Sequence, residues 1–132
     1  MATRSVISKY YEQENCFKSV YCHWDGYPEG VGKTLEENYQ DEDKINRLIE
    51  EGGISVLSET VEGTTFYIRD FGEEKNGLEI LISETNDLGN ALADILKFYT
   101  WSEYIYIFYK NQWLVYKVKF GKRRNTANQI TV

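Results

Sequence analysis

Apolar and polar positions alternate along the chain in a way that separates strands from helices. Residues 3 to 11 and 16 to 24 are rich in Val, Ile, Tyr and Phe, with EQEN between them, so a hairpin opens the chain. From Val31 to Tyr39, apolar side chains recur at 31, 35 and 39, which suits one face of a short helix whose first turn Gly32 weakens. DEDKINRLIEEGG predicts a second helix, with Asp41 as N-cap, Ile45, Leu48 and Ile49 on one face and Gly52 as the stop. TTFYIRDF and LEILISE read as strands, with Asn76-Gly77 leading into the latter. DLGNALADILKFY puts Leu88, Ala91, Leu92, Ile95, Leu96 and Tyr99 on one helical stripe, the main lid of the core. EYIYIFYKNQWLVYKVKF reads as two strands around Asn111-Gln112, with large side chains on both faces, hence an interior hairpin.

The resulting order, β-β-α-α-β-β-α-β-β, with short turns between paired strands, predicts an α+β domain. Its sheet would be mainly antiparallel, of five to six strands, with two to three helices packed on one face. A chain of 132 residues, 42% apolar and 15% aromatic, suits a single domain with its own core. That domain is expected over residues 1 to 120, and residues 121 to 132 as a basic, mobile tail. No apolar run is long enough to cross a bilayer and the start lacks the layout of a secretion signal, so a cytoplasmic protein is expected.

Charge adds a constraint on partners. Residues 1 to 118 hold all 21 Asp and Glu but only 11 of the 15 Lys and Arg, a formal charge of −10, whereas Lys119, Lys122, Arg123 and Arg124 cluster near the end. An acidic body repels phosphate backbones and steers towards basic surfaces, which excludes ordinary duplex DNA and favours a basic or nucleic-acid-binding protein as partner. Cys16 and Cys22 are expected as buried free thiols. With one His beside them they fall short of a four-ligand zinc site, so no metal or cofactor is expected.

The candidate chemistry concentrates in YCHWDGYPEGVGKT, residues 21 to 34. GVGKT invites comparison with a phosphate-binding P-loop, but the required first Gly would fall at Tyr27, so that motif is excluded. The glycines still put bare amides near a helix start, where an anion is favoured. A nucleotide could therefore stack on Trp24 and Tyr27 while Gly30, Gly32 and Lys33 meet its phosphate. His23 and Asp25, two apart, could share one side of a continuing strand and do acid-base work, although no second His or carboxylate cluster supports a catalytic residue set. The alternative is structural: Asp25, Gly26 and Pro28 make a turn over packed rings. A second candidate surface is the tyrosine set Tyr104, Tyr106, Tyr109 and Tyr116, a stacking platform or an adhesive patch. An aromatic edge hairpin would also make a second copy of the chain a candidate partner.

MATRS, YCHWDGYPEGVGKTLEENY, DEDKINRLIEEGGIS and EYIYIFYKNQWLVYKV together resemble a family of small bacteriophage and prophage proteins with a YCHWDGYPxxVG motif, most weakly over residues 58 to 80. The resemblance implies a phage accessory protein working in the bacterial host cytoplasm and transfers no mechanism. It makes inhibition of a host or anti-phage defence protein by non-covalent binding the leading expectation, ahead of a nucleotide-sequestering protein and an enzyme using His23 and Asp25.

Overall fold

The computed structural model describes residues 2 to 73 and 78 to 131. The chain opens with the expected hairpin, β1 (Ser5–Tyr11) and β2 (Cys16–Cys22), paired from Ser5↔Cys22 to Tyr11↔Cys16. A wide π turn over Pro28–Gly32 then runs into α1 (Lys33–Asn38). Next comes α2 (Glu42–Glu50), whose N-cap Asp41 accepts from the Asp43 amide at 3.3 Å and whose chain leaves through Gly52 at φ 83°. β3 (Ile54–Val56) and β4 (Thr65–Phe66) lead into α3 (Tyr67–Phe71). The chain continues through β5 (Leu81–Ser83) and α4 (Leu88–Phe98), and closes with β6 (Tyr104–Tyr109), β7 (Gln112–Lys119) and β8 (Thr126–Ile130).

The fold is α+β, as the pattern predicts, but the sheet is larger and mixed. Its strands run β4-β3-β2-β1-β6-β7-β8, with β5 also against β2, and the β1–β6 and β2–β3 pairs are parallel. TTFYIRDF gives only two strand residues before turning helical, because Asp70 Oδ2 reaches back to accept from the Phe66 amide at 2.7 Å and Gly72, at φ 67°, closes the helix. The last hairpin turns at Lys110 and Asn111, both at positive φ, one residue earlier than the sequence suggests, since Gln112 still pairs with Tyr109. Thr126–Ile130, within the segment expected to be a mobile tail, pairs with β7. The expected Asn76-Gly77 turn lies outside the described residues.

The helices lie on both faces of the sheet, not on one. Ile7, Val20, Cys22, Tyr106, Phe108 and Val115 pack with Leu35 of α1 and Ile45, Leu48 and Ile49 of α2. Their strand neighbours Val6, Tyr21, Ile105, Ile107 and Tyr116 point the other way and pack with Ala91 and Ile95 of α4. Two-sided burial explains why YIYIFY shows no polar alternation. One consequence positions the site: because β6 runs parallel to β1, with Ser5 opposite Tyr104, the start of β6, the start of β1 and the end of β2 meet at one end of the sheet.

Candidate functional site

Residues 23 to 33 leave that end of β2, and their backbone is fixed on three sides. The His23 and Trp24 amides donate to Ile54 and Ser55 carbonyls at 2.9 and 3.1 Å, and Gly26 donates to the Thr3 carbonyl at 2.8 Å. Asp25, at φ 57°, reverses the chain, and its carbonyl accepts from the Val31 amide at 2.8 Å. Beneath the turn, the buried Tyr106 hydroxyl donates to the Gly26 carbonyl at 2.6 Å. Burial pushes that phenol well above its ordinary pKa, so it stays a donor.

The glycines serve close packing. A Cβ at Gly26 would stand 2.6 Å from the Thr3 carbonyl oxygen and 2.8 Å from Ser5 Cβ, one at Gly32 would press on the Tyr106 ring, and one at Gly30 would collide with the Asp25 carbonyl. Nor do the two amides form an open phosphate cradle: Gly30 already donates to the Tyr27 carbonyl at 3.0 Å. A nucleotide at this corner would find exposed rings and the exposed Lys33, but the Gly30 amide is already engaged.

His23 and Asp25 do not form a pair. The strand ends at Cys22, and the left-handed Asp25 turns its carboxylate to the Tyr27 hydroxyl, which donates at 3.2 Å and whose own pKa that bond raises. His23 Nδ1 instead shares a short hydrogen bond with the Tyr21 hydroxyl. Partial burial, and secondarily the Arg4 guanidinium, hold the imidazole below its usual pKa. It is therefore neutral at pH 7, with one ring nitrogen carrying the proton and the other able to accept. Cys22 is sealed in the core, where burial pushes its thiol up to about 12, so it is no nucleophile. Among the described residues, no group of three or more His, Cys, Asp or Glu is placed to hold a metal ion.

What the corner does present is a line of rings. Trp24 lies edge-on to His23 at 4.7 Å between centroids, His23 to Tyr21 at 5.9 Å, and Tyr21 to Trp101 at 5.9 Å. Trp101 continues to Tyr99 at 6.5 Å and Tyr99 to Phe98 at 4.8 Å. Within this line Tyr21 and Tyr99 are buried, while Trp24 (42%), Trp101 (39%) and Phe98 (36%) keep exposed faces, as does Tyr27 (38%) beside the turn. The Arg4 guanidinium and the Trp101 indole both approach the Tyr21 hydroxyl.

Trp101 is the residue the sequence did not bring to this site. It occupies the short loop between α4 and β6, which is fixed by Ser102 Oγ donating to the Tyr99 carbonyl at 2.9 Å and the Glu103 amide donating to the Arg4 carbonyl at 2.8 Å. Only the parallel β1–β6 pairing carries it to the end of β2, and no local pattern announces that pairing. The second candidate surface does not hold together: Tyr104 and Tyr106 face the α1–α2 side of the sheet, Tyr109 and Tyr116 face the α4 side, and Tyr106 and Tyr116 are buried. The four cannot act as one platform.

The chain matches no family model, no curated protein and no solved structure.

Proposed function

We propose that this protein acts by non-covalent binding to another protein, through the exposed rings of Trp24, Tyr27 and Trp101 and the partly buried His23 between them. The single observation that carries the reading is the pair of indoles, Trp24 and Trp101, left half in solvent on either side of the buried Tyr21 at the rigid end of the sheet. Trp and Tyr dominate the energetics of interfaces because each buries a large rigid surface for little conformational entropy, and loops tied to strand ends by backbone hydrogen bonds, as at His23, Trp24 and Glu103, need little ordering when a partner arrives. The acidic body supports a basic partner surface, drawn in by long-range attraction. With the phage resemblance, the role is that of an accessory protein that occupies a host or defence protein in the bacterial cytoplasm.

The nucleotide reading has lost its amide cradle and the catalytic reading its His-Asp contact, so neither has an observation in its favour. The test is affinity capture from bacterial lysate by the wild-type protein, Trp24→Ser/Trp101→Ser and Lys33→Ala. A stoichiometric partner held by the wild type and Lys33→Ala, and weakened at least about tenfold in the double variant, is the expected result. Equal capture by all three overturns the ring surface as the site. Loss in Lys33→Ala together with a thermal shift on adding a nucleotide replaces this reading with nucleotide binding.

A further inference from the structure

Arg4 stands one residue before β1, and strand alternation decides where its side chain goes. Val6 packs on the α4 side of the sheet together with Tyr21, its partner in the β1–β2 ladder, so Arg4, two residues earlier, continues on that side. It lies across from His23, one step beyond the Ser5↔Cys22 pair, and beside Glu103, whose amide donates to the Arg4 carbonyl at 2.8 Å. The guanidinium accordingly approaches the Tyr21 hydroxyl, as the Trp101 indole also does. A cation therefore sits at the middle of the line of rings, where Tyr21 and His23 join Trp24 to Trp101.

This cation lacks an anion. Among the described residues Arg4 forms no ion pair, and its Nε is sealed from water with no acceptor. Arg69 shows the usual provision: Asp70 holds it at 3.0 Å, and the Val61, Glu62 and Thr64 carbonyls accept from it. At the corner the carboxylates do not serve Arg4 in that way. Asp25 accepts from the Tyr27 hydroxyl, and Glu103, although next to Arg4 in the ladder, makes no ion pair with it. A guanidinium that has given up water without gaining an acceptor favours the arrival of negative charge. Arg4 is only half-buried, so part of it stays open to a group arriving from solution.

We infer that Arg4 anchors an acidic side chain of the partner: an Asp or Glu carboxylate pairs with its guanidinium while apolar groups beside that carboxylate cover Trp24 and Trp101. The inference rests on the ring-surface reading and names what that surface selects. The planar fork of a guanidinium matches a carboxylate through two parallel hydrogen bonds. Charge favours a carboxylate over a phosphate, because residues 1 to 118 carry a formal charge of −10 and repel a dianion about twice as strongly as a monoanion. Long-range attraction draws in a basic partner surface as a whole, and Arg4 selects one acidic side chain set within it.

The probes are two capped peptides, acetyl-Leu-Glu-Leu-amide and acetyl-Leu-Gln-Leu-amide, titrated to tens of millimolar into isotope-labelled protein at fixed ionic strength. NMR follows the Arg4 Nε–H and the Trp24 and Trp101 indole N–H resonances, and circular dichroism confirms that each variant is folded. The expected result is a saturable shift of all three with the Glu peptide. Binding should be at least about tenfold weaker with the Gln peptide and in Arg4→Gln, and intermediate in Arg4→Lys, which keeps the charge but not the fork. If Arg4→Gln does not fold, Arg4→Lys and the two peptides on the wild-type protein still decide. Equal binding of both peptides through the indoles overturns the carboxylate anchor and leaves the ring surface standing. The absence of a saturable shift with either peptide overturns the anchor, and tighter binding of inorganic phosphate than of the Glu peptide overturns the carboxylate as its ligand. Failure of the ring surface itself is read separately, from undiminished partner capture by Trp24→Ser/Trp101→Ser.

Discussion

The inner and outer sides of the corner at residues 23 to 33 differ in what accounts for them. On the inner side every unusual residue has a packing reason: Gly26 lies against Thr3 and Ser5, Gly32 against the Tyr106 ring, and Cys22 is wholly buried. On the outer side Trp24, Tyr27 and Trp101 leave large apolar faces in water although the protein has two well-filled core clusters to hold rings. Unusual composition alone therefore does not mark function. Composition that packing does not absorb is the informative part.

Substitutions that separate the two sides should follow in order of cost to stability. The largest effect is expected for Gly26→Ala, whose new methyl meets backbone that cannot give way; it should lose about 3 kcal/mol, seen as a melting temperature lower by roughly 10 °C. Tyr106→Phe comes next, at about 1 to 3 kcal/mol in urea unfolding, because it leaves the Gly26 carbonyl buried without its donor. Trp24→Ser/Trp101→Ser should cost less than the inner substitutions, about 1 kcal/mol, while removing most partner capture. If the outer pair proves as costly as Gly26→Ala, the two sides are one structural unit and the contrast fails.

The smallest effect is a pH dependence confined to the outer side. The folded protein holds the His23 pKa below the unfolded value of about 6.5, so protonation favours the unfolded chain. The His23 contribution is then fully present above that unfolded value and is lost as pH falls through the folded one. Urea midpoints measured from pH 8 down to 5 should therefore fall more for the wild type than for His23→Gln. Parallel curves would mean that the imbalance between folded and unfolded imidazole is absent.

Local features were legible in the sequence to the extent that local physics decides them. The first hairpin, the Asp41 cap, the Gly52 stop and the α4 stripe were readable because caps, turns and periodicity act over a few residues. The parallel β1–β6 pairing was not, because two parallel strands are joined by a long crossover with no signal in either strand, and with it went the placement of Trp101. The two-sided sheet was half visible: the apolar run at 104 to 109 implied cover on both faces, but not which helix supplied it. The corner was recognisable as a concentration of unusual residues, whereas the division between its packed glycines and exposed rings needed the Tyr106 contact, which comes from 80 residues away.

The protein's three tryptophans allow the most direct test of the binding surface, since Trp24 and Trp101 lie at the corner while Trp113 is held against α1. With 5-fluorotryptophan in all three positions, fluorine NMR of the protein mixed with its captured partner should move the Trp24 and Trp101 resonances and leave the Trp113 shift in place. Movement at Trp113 with unchanged shifts at Trp24 and Trp101 would contradict the account.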